Sequence, residues 1–258
     1  MKEKIRFFAR SIGIEKCGFT HYEGKTAIVC LFPYFNGYNG GNLSLYAQSR
    51  DYHLVIKEKL EKLREYILPF SQSPDIPIFA DIGPSVDRLL AYRAGLGFYG
   101  KNNMLINPDF GSFFFIGYIL CDIALESDSS LNKECDGCGR CIKACPGGAL
   151  GDNFCIEKCA SHISQKKGAL SKEEEKILAA SNLIFGCDIC QKVCPHNNIT
   201  PKPMKEFTED LIYSLSLSDI ENLSNREFLK KYKDRAFSWR GRQILIRNLH
   251  FFESIKAE

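Results

Sequence analysis

CDGCGRCIKACP occupies residues 135–146, and a related run, CDICQKVCP, occupies residues 187–195. The first run spaces its cysteines as C-x2-C-x2-C-x3-C-P, which is typical of bacterial ferredoxins. Three thiolates at this spacing surround one 4Fe-4S cubane, and the fourth, just before the proline, ligates a different cluster. The two runs therefore predict a ferredoxin-like module that holds two 4Fe-4S clusters.

The second run supplies only three thiolates, although two cubanes with four cysteine ligands each need one more. If the runs exchange their last cysteines, the first cluster is ligated by Cys135, Cys138, Cys141 and Cys194. The second cluster then takes Cys145, Cys187, Cys190 and one cysteine from between the runs. Cys155 and Cys159 are the candidates there, and the spacing leaves the choice between them open.

Other uses of the cysteines explain the spacing less well. A zinc ribbon would need paired C-x2-C units that close a tetrahedral site, which leaves the x2-x2-x3-CP spacing without a reason. Structural disulfides are not expected, because the twelve cysteines cluster at ligand spacing and no signal peptide precedes them. Cys17, Cys30 and Cys121 stand in apolar contexts and are predicted to be small core residues.

The composition is that of a globular protein. The chain has 258 residues, 45% of them apolar, which is enough for one large domain and a smaller one. The charged N-terminus, without an apolar signal segment, favours the cytoplasm, where thiolates stay reduced. The longest apolar run, 113–120, is shorter than the about 20 residues that span a bilayer, so no membrane association is expected.

Positive charge is concentrated near the end of the chain. Residues 228–258 contain eight Lys or Arg against three acidic residues, a net charge of +5, which leaves −2 for residues 1–227. Trp239 and Phe237 lie in this basic segment. Such a tail can meet a phosphate backbone, or it can be the solvated face of a helix, and the sequence leaves both open.

Strand and helix patterns alternate before residue 125. Helices are predicted over 2–12, 51–68 and 85–93, and strands over 17–20, 26–34, 76–80 and 112–124. This alternation predicts an α/β or α+β domain over residues 1–130. The ferredoxin-like module is expected over 131–200, with a capped helix from Ser171, and a short helical basic tail over 201–258.

Several segments outside the cysteine runs resemble epoxyqueuosine reductases. They are YAQSRDYH at 46–53, ADIGPSVDR at 80–88, RAGLGFYGKN at 93–102, GSFFFIG at 111–117 and FGCDICQKVCPHN at 185–197. They occur in the family's order, and AFSWRGR at 236–242 is similar to the family as well. On these residues the chain is identified as a member of the epoxyqueuosine reductase family.

The resemblance implies a cytoplasmic tRNA-modifying oxidoreductase that binds cobalamin and two 4Fe-4S clusters. The family reduces the epoxide of epoxyqueuosine in the anticodon loop to the alkene of queuosine, and the oxygen leaves as water. It implies tRNA as a partner, with a low-potential electron donor such as ferredoxin or flavodoxin. Residues 1–130 would then be the corrinoid-binding domain, in which the protein places the substrate while the cofactor performs the difficult chemistry.

Asp81 matches the acid of this family, the Asp that opens its D-x-[GA]-P segment. Removal of an epoxide oxygen as water needs a proton at the developing alkoxide. A carboxyl group beside a water-excluding corrin would have a raised pKa and could supply that proton. Asp81 is therefore predicted to be the catalytic acid. Without the resemblance, an Asp here would simply open a proline turn after a strand.

Residues in the shared segments are expected to contact the corrin. The G-x-G-x-x-G at 95–100 follows a helix and not the strand that a dinucleotide loop requires, so close approach to a planar cofactor explains it better. CASHIS at 159–164 resembles the family's C-I-S-Y-L-T segment, which makes Cys159 the eighth cluster ligand. The expected corrin contacts are Tyr52, His53, Asp81, Lys101, Leu105, Asn107 and Ser161.

The chain departs from the family's pattern in three places. Its N-terminal part is short, His196 stands where a Trp is common, and the helical repeats that usually follow the 236–242 segment are expected to be missing. Two other functions stay open: a corrinoid-dependent reductase of a small molecule, and a non-enzymatic carrier of electrons. Cobalamin binding and salt-dependent affinity for tRNA would discriminate between the three.

Overall fold

The computed structural model describes residues 1–257, with side-chain detail through residue 255. The strands are β1 (Lys16–Tyr22), β2 (Lys25–Pro33), β3 (Ile78–Ala80), β4 (Phe98–Tyr99), β5 (Leu105–Ile106) and β6 (Phe114–Cys121). The longer helices are α1 (Lys2–Ser11), α2 (Tyr52–Ile67), α3 (Asp87–Arg93), α6 (Lys172–Ser181), α9 (Asn225–Lys231) and α10 (Arg242–Ala257). Short helices are α4 (Arg140–Ala144), α5 (Ala160–Ser164), α7 (Ile189–Lys192) and α8 (Leu217–Ile220).

The N-terminal part is built on a four-stranded sheet with the order β1-β2-β6-β3. Every neighbouring pair is antiparallel, and β2 and β3 run parallel to each other on either side of β6. Because α2 connects β2 to β3, this is a split β-α-β unit. The predicted mixture of strands and helices is confirmed, and the split unit explains why they alternate along the chain without a continuous parallel sheet.

Both faces of the sheet are covered, as the side chains of β2 illustrate. Ile28, Cys30 and Phe32 face a core that also holds Ile5 of α1 and Leu60 of α2. The intervening residues Ala27, Val29 and Leu31 face the opposite core, which includes Leu90 and Ala91 of α3. Side chains alternate across a strand with a period of two, so a continuous apolar run supplies both layers. The prediction that Cys17, Cys30 and Cys121 are core residues is confirmed, since all three are buried.

A second core joins the cysteine module to the C-terminal helices. Ile163 of α5 and Leu178 of α6 pack with Phe228 of α9 and Leu245 of α10. Capping boxes begin α6, where Ser171 pairs with Glu174, and α9, where Ser224 pairs with Glu227. The boundaries at residues 130 and 200 stay a prediction, but the tail shares one core with the module before it.

Buried polar contacts fix the cysteine module against the sheet. Asn197 accepts a hydrogen bond from the backbone N–H of Ser112 at 2.7 Å through Oδ1, and its Nδ2 donates to the carbonyl of Gln191 at 2.8 Å. The Gln191 amide in turn donates to the carbonyl of Ser112 at 3.0 Å. Since buried polar groups must be paired, this closed set specifies one orientation of the module on the start of β6.

The glycine-rich turn at 95–100 packs against its own chain. A methyl group on Gly97 would lie 2.8 Å from the carbonyl oxygen of Ile106, and one on Gly100 would lie 2.5 Å from Oδ1 of Asn102. The glycines are therefore needed for the β4–β5 hairpin, whatever else approaches it. Among residues 1–257, no helix is long and apolar enough to cross a membrane.

Candidate active site

One set of cysteines lies at the outer end of the module. Cys135, Cys138, Cys141 and Cys194 line one small pocket. Gly137 and Gly139 have φ values of +65° and +69°, which glycine adopts without steric cost, so the loop can wind tightly around the pocket. Cys138 is exposed and Cys141 is buried. The structure therefore brings together the four residues expected around the first cluster, and their ligation of iron stays a prediction.

The other set lies deeper. Cys145, Cys159, Cys187 and Cys190 line a second pocket. Burial raises the pKa of both Cys187 and Cys190 to about 12, so each thiol keeps its proton until a metal displaces it. Cys155 points elsewhere, with its thiol 3.5 Å from Oε2 of Glu157. The four thiols line the wall of a pocket. Within residues 1–257, no three His, Cys, Asp or Glu side chains are placed so that they could hold one metal ion.

An open cleft continues from the second cysteine pocket. The two cavities, of about 450 and 370 Å³, share as lining residues Tyr46, Arg88, Met104, Phe114 and Phe115. The outer cavity also contains Asp81 and Tyr52, whereas the inner one ends at the cysteines. Each volume is within the range of about 300–1,000 Å³ that small-molecule sites occupy. A group bound here would touch the second cysteine set on one side and Asp81 on the other.

Asp81 lies on a tight turn at the end of β3. The N–H of Ile82 donates to the carbonyl of Ala80 at 2.7 Å, and Asp81 between them has a φ of +65°. This is a γ-turn in the left-handed region, a strained conformation for a residue with a side chain. The turn places the carboxylate at the rim of the cleft, with 61% of the side chain exposed.

The turn is anchored from α3 and from β6. Asp87 accepts a hydrogen bond from the backbone N–H of Asp81 at 3.0 Å through Oδ2, while its Oδ1 is buried without a partner among the described residues. Burial raises the pKa of Asp87 to about 6. Gly83 lies so close to β6 that a methyl group there would be 2.1 Å from the hydroxyl of Tyr118.

The side chains around Asp81 form a series of hydrogen bonds and one longer ion pair. Asp51 caps α2 by accepting from the N–H of His53 at 2.9 Å, and the same carboxylate oxygen lies 2.8 Å from Nδ1 of that imidazole. Nε2 of His53 is then directed at Asp81 Oδ2, 3.7 Å away. The hydroxyl of Tyr52 donates to the same oxygen at 3.0 Å, and its ring stacks on Phe115. Capping by Asp51 thus also orients the imidazole.

These contacts determine where the proton resides. The carboxylates of Asp51 and Asp81, which accept from the imidazole, raise the pKa of His53 to about 9. The pKa of Asp81 is lowered, mainly by His53 and also by the hydroxyl of Tyr52, against the effect of burial. At neutral pH the pair is therefore an imidazolium and a carboxylate. The raised pKa expected for Asp81 is not found in the protein alone and would require the cleft to be covered.

Unsatisfied polar atoms show what the cleft can accept. Asp87 is one of the residues that line the outer cavity, and Asn102 is one of those that line the inner one. Oδ1 of Asp87 and Nδ2 of Asn102 are both buried without a partner among the described residues. A buried polar atom is costly unless it is hydrogen-bonded. An acceptor and a donor beside aromatic walls suit a large, mostly apolar ligand that carries amide groups at its edge, as a corrin does.

The predicted corrin contacts divide into two groups. Tyr52, Asp81 and Leu105 line the outer cavity, Ser161 lines the inner one, and His53 reaches the rim through Asp81. Lys101 and Asn107 are not brought there. Lys101 lines the pocket of the first cysteine set. The Asn107 side chain is buried in its own loop, where it donates to the carbonyl of Leu96 at 2.7 Å.

Sequence reasoning missed several residues of the cleft. Tyr46 lines both cavities, and Asn102 lines the inner one. Both stand in the segments that carry the family resemblance, which was the available signal. Asp87 gave a weaker signal, an acidic residue in the first turn of a helix, which ordinarily needs no explanation beyond the helix dipole.

Two four-cysteine sets behind an acid-bearing cleft are the arrangement expected of an iron–sulfur protein. Residues 134–197 match the family model described as "4Fe-4S double cluster binding domain", so this segment is such a domain. Residues 20–81 match the model described as "Epoxyqueuosine reductase QueG, DUF1730". This second match begins within β1, contains β2, α2 and β3, and ends at Asp81.

The chain belongs to the epoxyqueuosine reductase family. It is 35% identical to the enzyme of Cyclobacterium marinum over 248 residues, 90% of this chain and 77% of that protein. It is 38% identical to the enzyme of Bacillus cereus over 207 residues, 77% of this chain and 53% of that protein. The chain thus spans about half the length of the first curated relatives it matches.

A solved relative has the same fold along nearly the whole chain. An epoxyqueuosine reductase determined with an epoxyqueuosine-modified stem loop of tyrosine tRNA superposes with a TM-score of 0.81. The identity is 27%, and the match covers 97% of this chain and 80% of the relative. The cleft, the cysteine module and the C-terminal helices described here therefore lie within a fold that the family shares.

Proposed function

We propose that this protein reduces epoxyqueuosine to queuosine in the anticodon loop of tRNA, in the cytoplasm, using two 4Fe-4S clusters and cobalamin. The observation that carries the proposal is the position of Asp81, at the rim of a cleft whose inner end is the second cysteine set. Electrons and a proton can thus reach one substrate from opposite sides. The choice of epoxyqueuosine as the substrate is based on membership of the epoxyqueuosine reductase family.

The reaction sets requirements that these residues can meet. Conversion of the epoxide to an alkene and water consumes two electrons and two protons. Cys135, Cys138, Cys141 and Cys194 would hold the outer cluster, and Cys145, Cys159, Cys187 and Cys190 would hold the inner one. The two clusters would supply the electrons. One proton must reach the epoxide oxygen as its bond to carbon breaks, and Asp81 is the carboxyl group at the cleft.

His53 stores the proton for Asp81. In the open cleft the proton resides on the imidazole, since the pKa of His53 is about 9 and the pKa of Asp81 is lowered. When ligands cover the cleft and exclude water, the charged pair is disfavoured and the proton moves to the carboxylate. The carboxylic acid then donates it to the epoxide oxygen. Asp51 keeps the imidazole oriented throughout by accepting from Nδ1.

The cleft residues fit a corrinoid. Phe114, Phe115 and Met104 would lie along the macrocycle, and Asp87 and Asn102 would pair with its amide groups. Ser161 and Tyr46 line the end nearest the inner cysteines. When bound, cobalamin supplies low-potential reducing chemistry directly at the substrate carbon, while the protein binds, orients and excludes water.

The partner is tRNA, and the basic C-terminal segment supports this. Trp239 is 59% exposed, and the guanidinium of Arg240 lies 3.8 Å above its ring. Exposed aromatic and guanidinium groups stack with unpaired bases, and a net charge of +5 over residues 228–258 attracts the phosphate backbone. The tRNA stem loop bound to a solved relative agrees with this partner.

An anaerobic turnover assay tests the proposal. The reconstituted protein, with cobalamin and a low-potential reductant, is given tRNA that carries epoxyqueuosine, and the digested nucleosides are measured by mass spectrometry. Queuosine is the expected product. No conversion by a preparation that holds both clusters and cobalamin would overturn the proposal and leave reduction of a small molecule as the next hypothesis.

A further inference from the structure

A groove of about 560 Å³ lies on the outer side of the first cysteine set. Its floor contains Cys194 and the buried ring of Phe35, and its walls include Tyr38 and Ile199. Tyr38 is 51% exposed although its ring packs edge-on against Phe35. The groove therefore presents an apolar surface to solvent directly beside one of the predicted ligands of the outer cluster.

The shared lining residues order the sites along one line. The groove shares Cys194 with the first cysteine pocket, and that pocket shares Asn102 with the second. The second pocket opens into the cleft that contains Asp81. The groove shares no lining residue with either part of the cleft among the described residues. It thus adjoins the first cysteine set and is not part of the cleft.

The rim of the groove is positively charged. Arg140 and Lys192 line it, both are exposed, and none of its described lining residues is acidic. Among the described residues, no carboxylate lies within 4.0 Å of either cation. Asp136, an exposed acid of the cysteine loop, is 3.3 Å from His196. Cations without partners around an apolar patch suit an acidic protein surface.

We infer that this groove is the docking surface for an acidic redox protein that delivers electrons to the outer cluster. The inference rests on the proposed function, which requires two electrons from outside for each epoxide. Each encounter moves one electron: the donor is oxidised by one unit, the outer cluster is reduced by one unit, and no atom or proton is exchanged. Two encounters supply the electron pair that the cleft consumes.

Cluster reduction in the reconstituted protein tests the inference without tRNA or substrate. The probe is reduced flavodoxin, an acidic flavoprotein, and the readout is the loss of visible iron–sulfur absorbance in an anaerobic stopped-flow experiment. Arg140→Glu and Lys192→Glu reverse the charges of the rim. Lys172→Glu is the matched control, because Lys172 is 93% exposed on α6, away from the groove. Photoreduced deazariboflavin serves as a small neutral reductant.

We expect the rim variants to lower the bimolecular rate constant with flavodoxin by about 10-fold or more at low salt, with a smaller difference at high salt. Deazariboflavin should reduce the rim variants at the wild-type rate. Flavodoxin should reduce the Lys172→Glu variant at the wild-type rate. If a charge-reversal variant has a lowered iron content, the neutral variants Arg140→Gln and Lys192→Gln are used in its place. We expect these to lower the rate constant with flavodoxin by a smaller factor.

Three outcomes would overturn the inference. A wild-type rate with flavodoxin in both rim variants would mean that the donor docks elsewhere. An equal loss with deazariboflavin would mean that the variants damage the cluster. Weaker binding of a tRNA stem loop, with flavodoxin kinetics unchanged, would make the groove an RNA surface. Failure of the turnover assay leaves this test intact, since it needs neither cobalamin nor substrate.

Discussion

The carboxylate of Asp87 accepts a hydrogen bond from the backbone N–H of Asp81 at 3.0 Å. Asp87 thereby holds the strained turn that presents Asp81 to the cleft. The arrangement is costly, because the other oxygen of Asp87 is buried without a partner among the described residues. Such local costs are common at functional sites, where the surrounding structure keeps a reactive group in place.

Asp81→Asn should retain both clusters and cobalamin but lower turnover by on the order of 10²-fold or more, because the amide cannot donate the proton as an acid does. Asn tolerates a φ of +65° better than most residues, so the turn should persist. Single-turnover assays on epoxyqueuosine tRNA measure the effect, with the exposed loop variant Asp152→Asn as the control. Wild-type turnover in Asp81→Asn would remove Asp81 from the mechanism.

Asp87→Asn should stabilise the protein at pH 7. The pKa of Asp87 is raised to about 6 by burial, so the carboxyl contributes stability below its ordinary pKa of 3.8 and loses it as pH rises through about 6. The amide avoids the buried charge and keeps an oxygen for Asp81. Anaerobic chemical denaturation should show a gain on the order of 1–3 kcal/mol at pH 7 that disappears near pH 4. A gain independent of pH would contradict this account, and Asp152→Asn should show none.

Cys159→Ala should lose about half of the cluster iron, because Cys159 lines the inner pocket with three other cysteines and each cubane needs four ligands. Cys155→Ala should lose none, since its thiol lies toward Glu157. The two variants remove the same atoms four residues apart, so each controls for the other. Iron and sulfide analysis of both proteins after reconstitution gives the answer, and the reverse pattern would exchange their roles.

The imidazole of His53 should titrate near pH 9 in the protein without cobalamin. The folded pKa lies above the ordinary 6.5, so this group contributes stability that is complete below pH 6.5 and is lost as pH rises through about 9. Histidine NMR measures the titration directly. Asp51→Asn keeps the helix cap but removes the charge and should move the pKa of His53 downward. An unchanged value would show that Asp51 has no such influence.

The pH dependence of turnover should follow the protonation of His53. If His53 stores the proton for Asp81, kcat/KM falls as pH rises through about 9, where the imidazolium is lost. His53→Gln should remove that limb of the profile and lower the rate across the neutral range. If kcat/KM of His53→Gln still falls as pH rises through about 9, another group is responsible for that fall.

Local patterns were sufficient for much of the structure. The continuous apolar run of β2 and the capped start of the helix at Ser171 depend on neighbours along the chain, so the sequence alone predicts them. The cysteine runs are equally local, because three ligands of one cubane are supplied within seven residues. The exchange of Cys194 into the first set was predictable only because the spacing before the proline leaves that thiol without a local partner.

The positions of Lys101 and Asn107 show where local reasoning ends. Both follow the glycine-rich turn that the family shares, yet one lies at the first cysteine pocket and the other inside its own loop. Their direction depends on the β4–β5 hairpin, whose glycines make room for the chain itself. Sequence proximity to a shared motif could not distinguish a side chain that lines the cleft from one that packs behind it.

The sequence by itself determined the ligand runs, the approximate positions of the principal strands and helices, and the family, since each depends on the pattern of residues along the chain. Only the tertiary structure decided that Asp51, His53 and Asp81 form one series and that Asp87 supports its end. Those contacts join α2 to a turn and α3 about 30 residues further on. They form only when the split β-α-β unit closes, because side chains this far apart meet through the sheet and not through local spacing.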